Sequence, residues 1–241
     1  MIHVRFSPLT FRIRLLASLD EESFRFGVRI VKTAPAHAFQ PRKTPIQRRS
    51  TVTVEAIAEA TIQVLLAVGS DRLTTTRVAE RAGVSVGTLY QYYPNKQSLL
   101  HAVLETHLTR VAEAVEGACR AHRGAAVEEL VAAIVPAYVD AKLERADVST
   151  ALYAAGSDVD GAAIVRRISK RGNRALTAAL AEAAGAPPGD MEFVALMIYS
   201  AMAGATRAVL EAGAPARMVA RLREELLVLC QAYAAKSVRS S

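Results

Sequence analysis

LTTTRVAERAGVSVGTLYQYYPNK, from Leu73 to Lys96, is the stretch whose reading decides the fold. Its pattern predicts two short helices joined by a tight turn. Thr74 or Thr75 can cap the first by accepting a backbone N–H bond, and Val78, Ala79 and Ala82 share one of its faces. Gly83 stands where the chain must turn sharply, in a positive-φ conformation that a Cβ would make costly. Ser85 caps the second helix, Leu89 anchors it and Pro94 stops it. Ala79 is small where steeply crossed helices come closest, and Val84 and Leu89 fill the wedge. The outward face of the second helix reads Ser85, Val86, Gly87, Thr88, Tyr90 and Gln91. A hairpin inside an ordinary helical core would carry more aliphatic bulk there. Small and polar groups suit a helix that enters a DNA groove.

Working outward, a helix is expected from about Thr53 to Val68, with Ile57, Thr61, Val64, Leu65 and Val68 on one face and Gly69 as its stop. Past Pro94, Asn95 should cap a long helix carrying Leu99, Leu100, Val103, Leu104, Leu108, Val111 and Val115. Further helices are expected near Val127–Arg145, Val148–Ala155, Ala162–Ala184, Asp190–Ala212 and Pro215–Lys236. Breaks at Gly124, 156–161, 185–189 and 213–215 separate them. The fold class is therefore all-α: a three-helix head with a helix-turn-helix, then a larger helical domain, which the resemblance given below implies to be for ligand binding and dimerisation. The domains are expected at 51–100 and 101–241, after a basic extension over 1–50.

TVxxAIxxA, LLxxG and LTTxxVAExAGVSVGTLYQYYPNKxxLL, spread over Thr51 to Leu100, resemble the head of the TetR family of bacterial transcription regulators. The resemblance implies a homodimer bound to a palindromic operator and released when a small molecule enters the C-terminal domain. Beyond the head the likeness is only to a long, alanine-rich helical region.

Duplex DNA asks for cations near phosphates, short donors along the backbone, and small or shape-matched groups at base edges. Lys96 can meet a phosphate at the positive end of the linking helix, or be a solvated lysine; the resemblance favours the former. Thr75, Thr88 and Tyr92 offer hydroxyls to the backbone, and Tyr93 is expected to pack inward. Gly87 allows close approach, Val86 and Tyr90 can press thymine methyls, and Ser85, Gln91 and Thr76 can bond base edges. With no arginine on that face, methyl contacts and DNA shape should carry much of the specificity. Arg77 and Arg81 read as either surface charges or backbone contacts.

The formal charge is +7, and residues 1–50 account for all of it with ten Lys/Arg against three Asp/Glu. Arg48 and Arg49, immediately before the head, are candidate contacts to the DNA backbone or minor groove. The segments Phe11–Leu15 and Phe24–Ile30 alternate like strands, but a lone hairpin would be marginal, so a disordered leader is expected there.

Two helices near the C-terminus offer a dimer face. Val194, Ile198, Ala201, Ala205 and Val209 form one stripe; Met218, Leu222, Leu226, Leu229 and Tyr233 form the other. Either could simply be core, and the resemblance favours a four-helix interface. Leu108, Val111, Tyr138, Tyr153, Ile168 and Tyr199 are candidates to line an effector pocket, with plain core as the competing reading. His101, His107 and His122 lack metal-site spacing, and neither a metal nor another cofactor is expected. Cys119 and Cys230 read as buried, reduced thiols.

The apolar run Phe193–Thr206 is shorter than a bilayer span, and Arg5, Arg12 and Arg14 interrupt any signal-peptide core. No membrane partner is expected, and the protein should be cytoplasmic. Two alternatives stay open: an enzyme with a DNA-binding head, disfavoured by the lack of a phosphate loop or GxSxG elbow, and a DNA-binding or interaction protein with no small-molecule effector.

Overall fold

The computed structural model describes residues 48–155, 161–183 and 190–239. The strand-like segments before Arg48 and most of the glycine breaks at 156–161 and 185–189 lie outside the described residues. Among the described residues there are nine helices and no strand: α1 (Arg48–Arg72), α2 (Thr75–Ala82), α3 (Val86–Tyr92), α4 (Lys96–Ala121), α5 (Val127–Leu143), α6 (Ala146–Ala154), α7 (Gly161–Ala181), α8 (Met191–Glu211) and α9 (Ala216–Arg239).

Helix α1 starts at Arg48, ahead of the expected Thr53, so the last residues of the basic segment are helical. Gly69 interrupts it with φ 77°, and Arg72 ends the short turn that follows. The predicted face is buried at Ile57, Thr61, Val64 and Leu65, while Val68 is half-buried. Thr61 satisfies its hydroxyl within the helix, donating to the Ile57 carbonyl at 2.7 Å.

Two apolar clusters organise the chain. The first joins Ile57, Leu65, Leu73, Val78, Leu89 and Tyr93 to Leu99, Leu100 and Leu104 of α4, and continues to Val148, Leu152 and Ile164. It therefore runs past residue 100 without a seam, down α4 onto α6 and α7. The second packs the far end of α4 with α5, the end of α7, α8 and α9 around Val115, Leu130, Ile134, Leu176, Ile198, Met202 and Leu226. Helix α4 belongs to both.

Helices α1 and α8 are each long and apolar enough to cross a bilayer by length and composition. The run at α8 is thus longer than Phe193–Thr206 suggested. In both helices one face is packed in the cores just described. Cys119 and Cys230 are free and buried, and burial pushes each thiol up to about 11, which leaves them unreactive.

Candidate nucleic-acid interface and ligand cavity

The head is fixed by local hydrogen bonds. Thr74, rather than Thr75, caps α2, its Oγ1 accepting the Arg77 amide at 3.3 Å. Gly83 ends α2 with φ 69°, which lets the Val84 amide donate back to the Ala79 carbonyl at 3.0 Å. Ser85 caps α3 by accepting the Thr88 amide at 3.0 Å, and its hydroxyl also meets Thr88 Oγ1 at 2.8 Å. Thr75 Oγ1 lies 3.1 Å from the Tyr90 hydroxyl, tying α2 to α3. Asn95 and Ser98 complete a capping box at the start of α4.

On this frame Thr76, Ser85, Gly87, Tyr90 and Gln91 are exposed, whereas Thr75, Val86, Thr88, Tyr92 and Lys96 are half-buried. Val86 and Tyr92 lean against the head core, so each offers less free surface than the sequence suggested. Tyr93 is buried, and burial raises its phenol. Lys96 donates to the Ser70 carbonyl at 3.1 Å, which ties the start of α4 to the end of α1 and leaves two ammonium protons free. Arg77 donates to the Arg72 carbonyl at 2.8 Å and Arg81 to Gln63 Oε1 at 2.5 Å, so both arginines brace the head. Arg48 and Arg49 occupy the first turn of α1.

In the body, a cavity of about 700 Å³ opens between α4, α5, α6, α7 and α8. Leu108, Val111, Tyr138, Tyr153, Ile168 and Tyr199 all line it. Tyr138 and Tyr199 meet edge to face, with centroids 5.6 Å apart. Burial raises the three tyrosine phenols, so they remain hydrogen-bond donors.

Sequence reasoning missed the cavity's cations. Lys142 sits 3% exposed and donates to the Tyr153 hydroxyl at 3.1 Å. Burial pulls its ammonium down to about 8, which still leaves it mostly charged at neutral pH. Arg166 and Arg207 stand on the cavity wall, and the Arg207 guanidinium lies 5.4 Å from the Tyr153 ring centre. The signal for Lys142 was present: it falls four residues after Tyr138, on the buried face of α5.

A buried polar relay adjoins the cavity. Ser149 donates to the Lys142 carbonyl at 2.9 Å, so its oxygen accepts from His107 Nε2 at 2.8 Å. Burial, then the charges of Lys142, Arg110 and Arg145, push that imidazole down to about 4, keeping it neutral. One histidine on α4 thus binds the junction of α5 and α6.

Gly172 of α7 accommodates Tyr199: a Cβ there would fall 2.7 Å from Cε2 and 2.9 Å from the hydroxyl of that ring. Gly172→Ala is therefore expected to displace the ring and lower stability by about 1–3 kcal/mol. Urea unfolding with near-ultraviolet circular dichroism checks this; an unchanged midpoint and spectrum would show that the ring yields freely.

The expected dimer stripes need correction. Val194, Ile198, Leu222 and Leu226 are buried in the chain's own core, Val209 joins them, and Ala201 and Ala205 are half-buried. Tyr233 is half-buried too, so of the ten residues in the two stripes only Met218 and Leu229 are exposed, at 43% and 54%. The apolar groups left uncovered on α8 are one helical step away: Phe193, Leu196 and Met197. Val228 accompanies Leu229 on α9. The pattern showed a helical stripe but not which of two apolar faces meets the chain's own core.

Comparison with known proteins gives a consistent pattern. Residues 57–103 match the family described as bacterial regulatory proteins, tetR family, and residues 126–233 match the tetracyclin repressor-like C-terminal domain. The tetracycline repressor protein class C of Escherichia coli is 44% identical over 55 residues, covering 23% of this chain and 25% of the repressor. The nucleoid occlusion factor SlmA of Pasteurella multocida is 39% identical over 67 residues, covering 26% and 33% respectively. The chain thus spans a quarter to a third of the length of these two relatives. A crystal structure from Mesorhizobium loti, described as a TetR-family transcriptional regulator, superposes with a TM-score of 0.68 at 16% identity, covering 78% of this chain and 98% of that one.

Proposed function

The chain belongs to the TetR family of bacterial transcriptional regulators, and from that premise we propose that it is a homodimeric repressor released from a palindromic operator by a small molecule. One observation carries this: α4 is shared by the helix-turn-helix and the cavity, so whatever fills the cavity bears on the helix that sets the head. Head and body, about 51–100 and 101–241, would then act as reader and sensor joined by a rigid element. A cytoplasmic location follows from this role, and catalysis forms no part of it.

In this reading α3 enters the major groove. Ser85, Gln91 and Thr76 would meet base edges, Tyr90 and the exposed part of Val86 would meet thymine methyls, and Gly87 would allow close approach. Thr75, Thr88, Tyr92 and Lys96 would follow the phosphates. Arg48 and Arg49, on the first turn of α1, would add backbone or minor-groove contacts. Replacing both with alanine should flatten the slope of log affinity against log salt by about one unit for each phosphate no longer neutralised. An unchanged slope removes these two arginines from the interface.

Selection from random duplexes at several salt concentrations tests the whole proposal. A palindrome with half-sites about one helical turn apart is expected. A second reading, a DNA binder without an effector, draws on the 67-residue likeness to a nucleoid occlusion factor. The roomy cavity favours the regulator. Failure of well-folded protein to enrich any sequence would favour the second reading.

A further inference from the structure

We infer that the cavity is built for an organic anion, a carboxylate on an apolar body, whose head is received by Lys142 and Tyr153. The inference rests on the effector role proposed above. Three observations lead to it. Lys142 is buried, lies on the cavity wall, and has no carboxylate partner among the described residues. Its one hydrogen bond goes to a neutral phenol, so two of its three N–H donors remain to be satisfied. An ammonium withdrawn from water at this depth is costly unless an opposite charge joins it.

The second observation is the sign of the wall. Its charged residues among those described are Lys142, Arg166 and Arg207, and none is acidic. Arg207 is already engaged with Glu211 at 2.7 Å and Arg166 is exposed to solvent, so the buried positive charge without a counter-ion lies at Lys142. An amine would meet repulsion here, and a neutral molecule would leave the ammonium unpaired. The third observation is the apolar part of the wall, formed by Leu104, Leu108, Val111, Leu152 and Ile168, with Ser169, Ser200 and the phenols of Tyr138 and Tyr199 as the other polar groups. A ligand with one charged end and an apolar remainder satisfies both parts. The Tyr153 hydroxyl, which accepts from Lys142, can donate its own proton to the same anion. Lys142 and Tyr153 also join the ligand to α5 and α6, and through the Lys142 carbonyl and Ser149 to His107 on α4.

The test uses full-length protein and four probes with one tail: decanoate, decyl phosphate, decan-1-ol and decylamine. Calorimetric titration is run on the wild type, Lys142→Met and Tyr153→Phe, and operator affinity of each is measured without probe. Decanoate should bind the wild type at least about tenfold more tightly than decanol, a step set by one charge-assisted hydrogen-bonded pair. Lys142→Met should erase that preference while still binding decanol, and Tyr153→Phe should reduce it. Methionine fills the same space without a buried charge, so this variant should fold; the phenylalanine variant gives an independent check. Decanol or decylamine binding the wild type as well as decanoate would overturn the inference, as would a preference that survives in Lys142→Met. Decyl phosphate binding more tightly than decanoate would keep the anion and overturn the carboxylate. Operator binding without binding of any probe would overturn this inference and leave the DNA-binding regulator standing. Probe binding by a protein that selects no operator would do the reverse.

Discussion

Gly87→Leu is expected to abolish operator binding while making the head slightly more stable. Gly87 lies in the first turn of α3 and is exposed, and a Cβ added there would meet nothing closer than Ser85 Oγ at 3.7 Å. Its φ is not positive, so the backbone accepts any L residue. Within a helix, replacing glycine removes an entropic cost of about 0.5–1 kcal/mol. Thermal unfolding should therefore shift upward or stay level. DNA affinity should move the other way: a leucine on the face between Ser85 and Gln91 would hold α3 off the groove floor. Each good base contact is worth about 1–3 kcal/mol, so removing two or three predicts a fall of about a hundredfold or more. Gly87→Ala should fall between. The opposite signs separate a blocked interface from a damaged fold, and normal operator affinity in the leucine variant would remove α3 from the groove.

The head was legible because its signals are local. Thr74, Gly83, Ser85 and Asn95 act on backbone within a few residues of themselves, so residue type and spacing suffice to place the turn and caps. The buried face of α4 was readable for a similar reason, since a 3.6-residue period marks it without knowledge of its partners. The cavity was legible only in part. Tyr138, Tyr153 and Tyr199 come from three different helices, and the space between them depends on how α5, α6 and α8 pack. The buried ammonium of Lys142 was overlooked because a lysine is by habit assigned to solvent; its place in the period of α5 argued otherwise. The arginines of α2 are exposed, as one of their two readings had it, but they also bond within the head. Arg81 bonds Gln63, eighteen positions earlier in the chain, a contact no local rule could supply.

For the proposed dimer surface sequence periodicity is least decisive, because α8 is apolar on two faces. Val194, Ile198 and Met202 fill the chain's own core, while Phe193 and Leu196 remain 54% and 48% exposed. On α9 the same division puts Leu222 and Leu226 inside and leaves Val228 and Leu229 65% and 54% exposed. Exposed apolar groups grouped on two neighbouring helices cost little when a second copy covers them, and a head reading one short half-site needs such a partner for affinity. Leu196→Glu combined with Leu229→Glu is therefore expected to yield a folded monomer by sedimentation, because neither side chain supports the core. In a symmetric interface each substitution occurs twice, placing four carboxylates in a buried seam, a burden of several kcal/mol. Operator affinity should then fall toward that of a single half-site, by about a thousandfold or more, since specific binding by such dimers typically exceeds non-specific binding by that margin. Leu226→Ala provides the contrast: it should lower unfolding stability by about 2–5 kcal/mol through a core cavity. A double-glutamate variant that stays dimeric would place the interface elsewhere, and one that is monomeric yet binds the full operator as the wild type does would break the link between pairing and recognition.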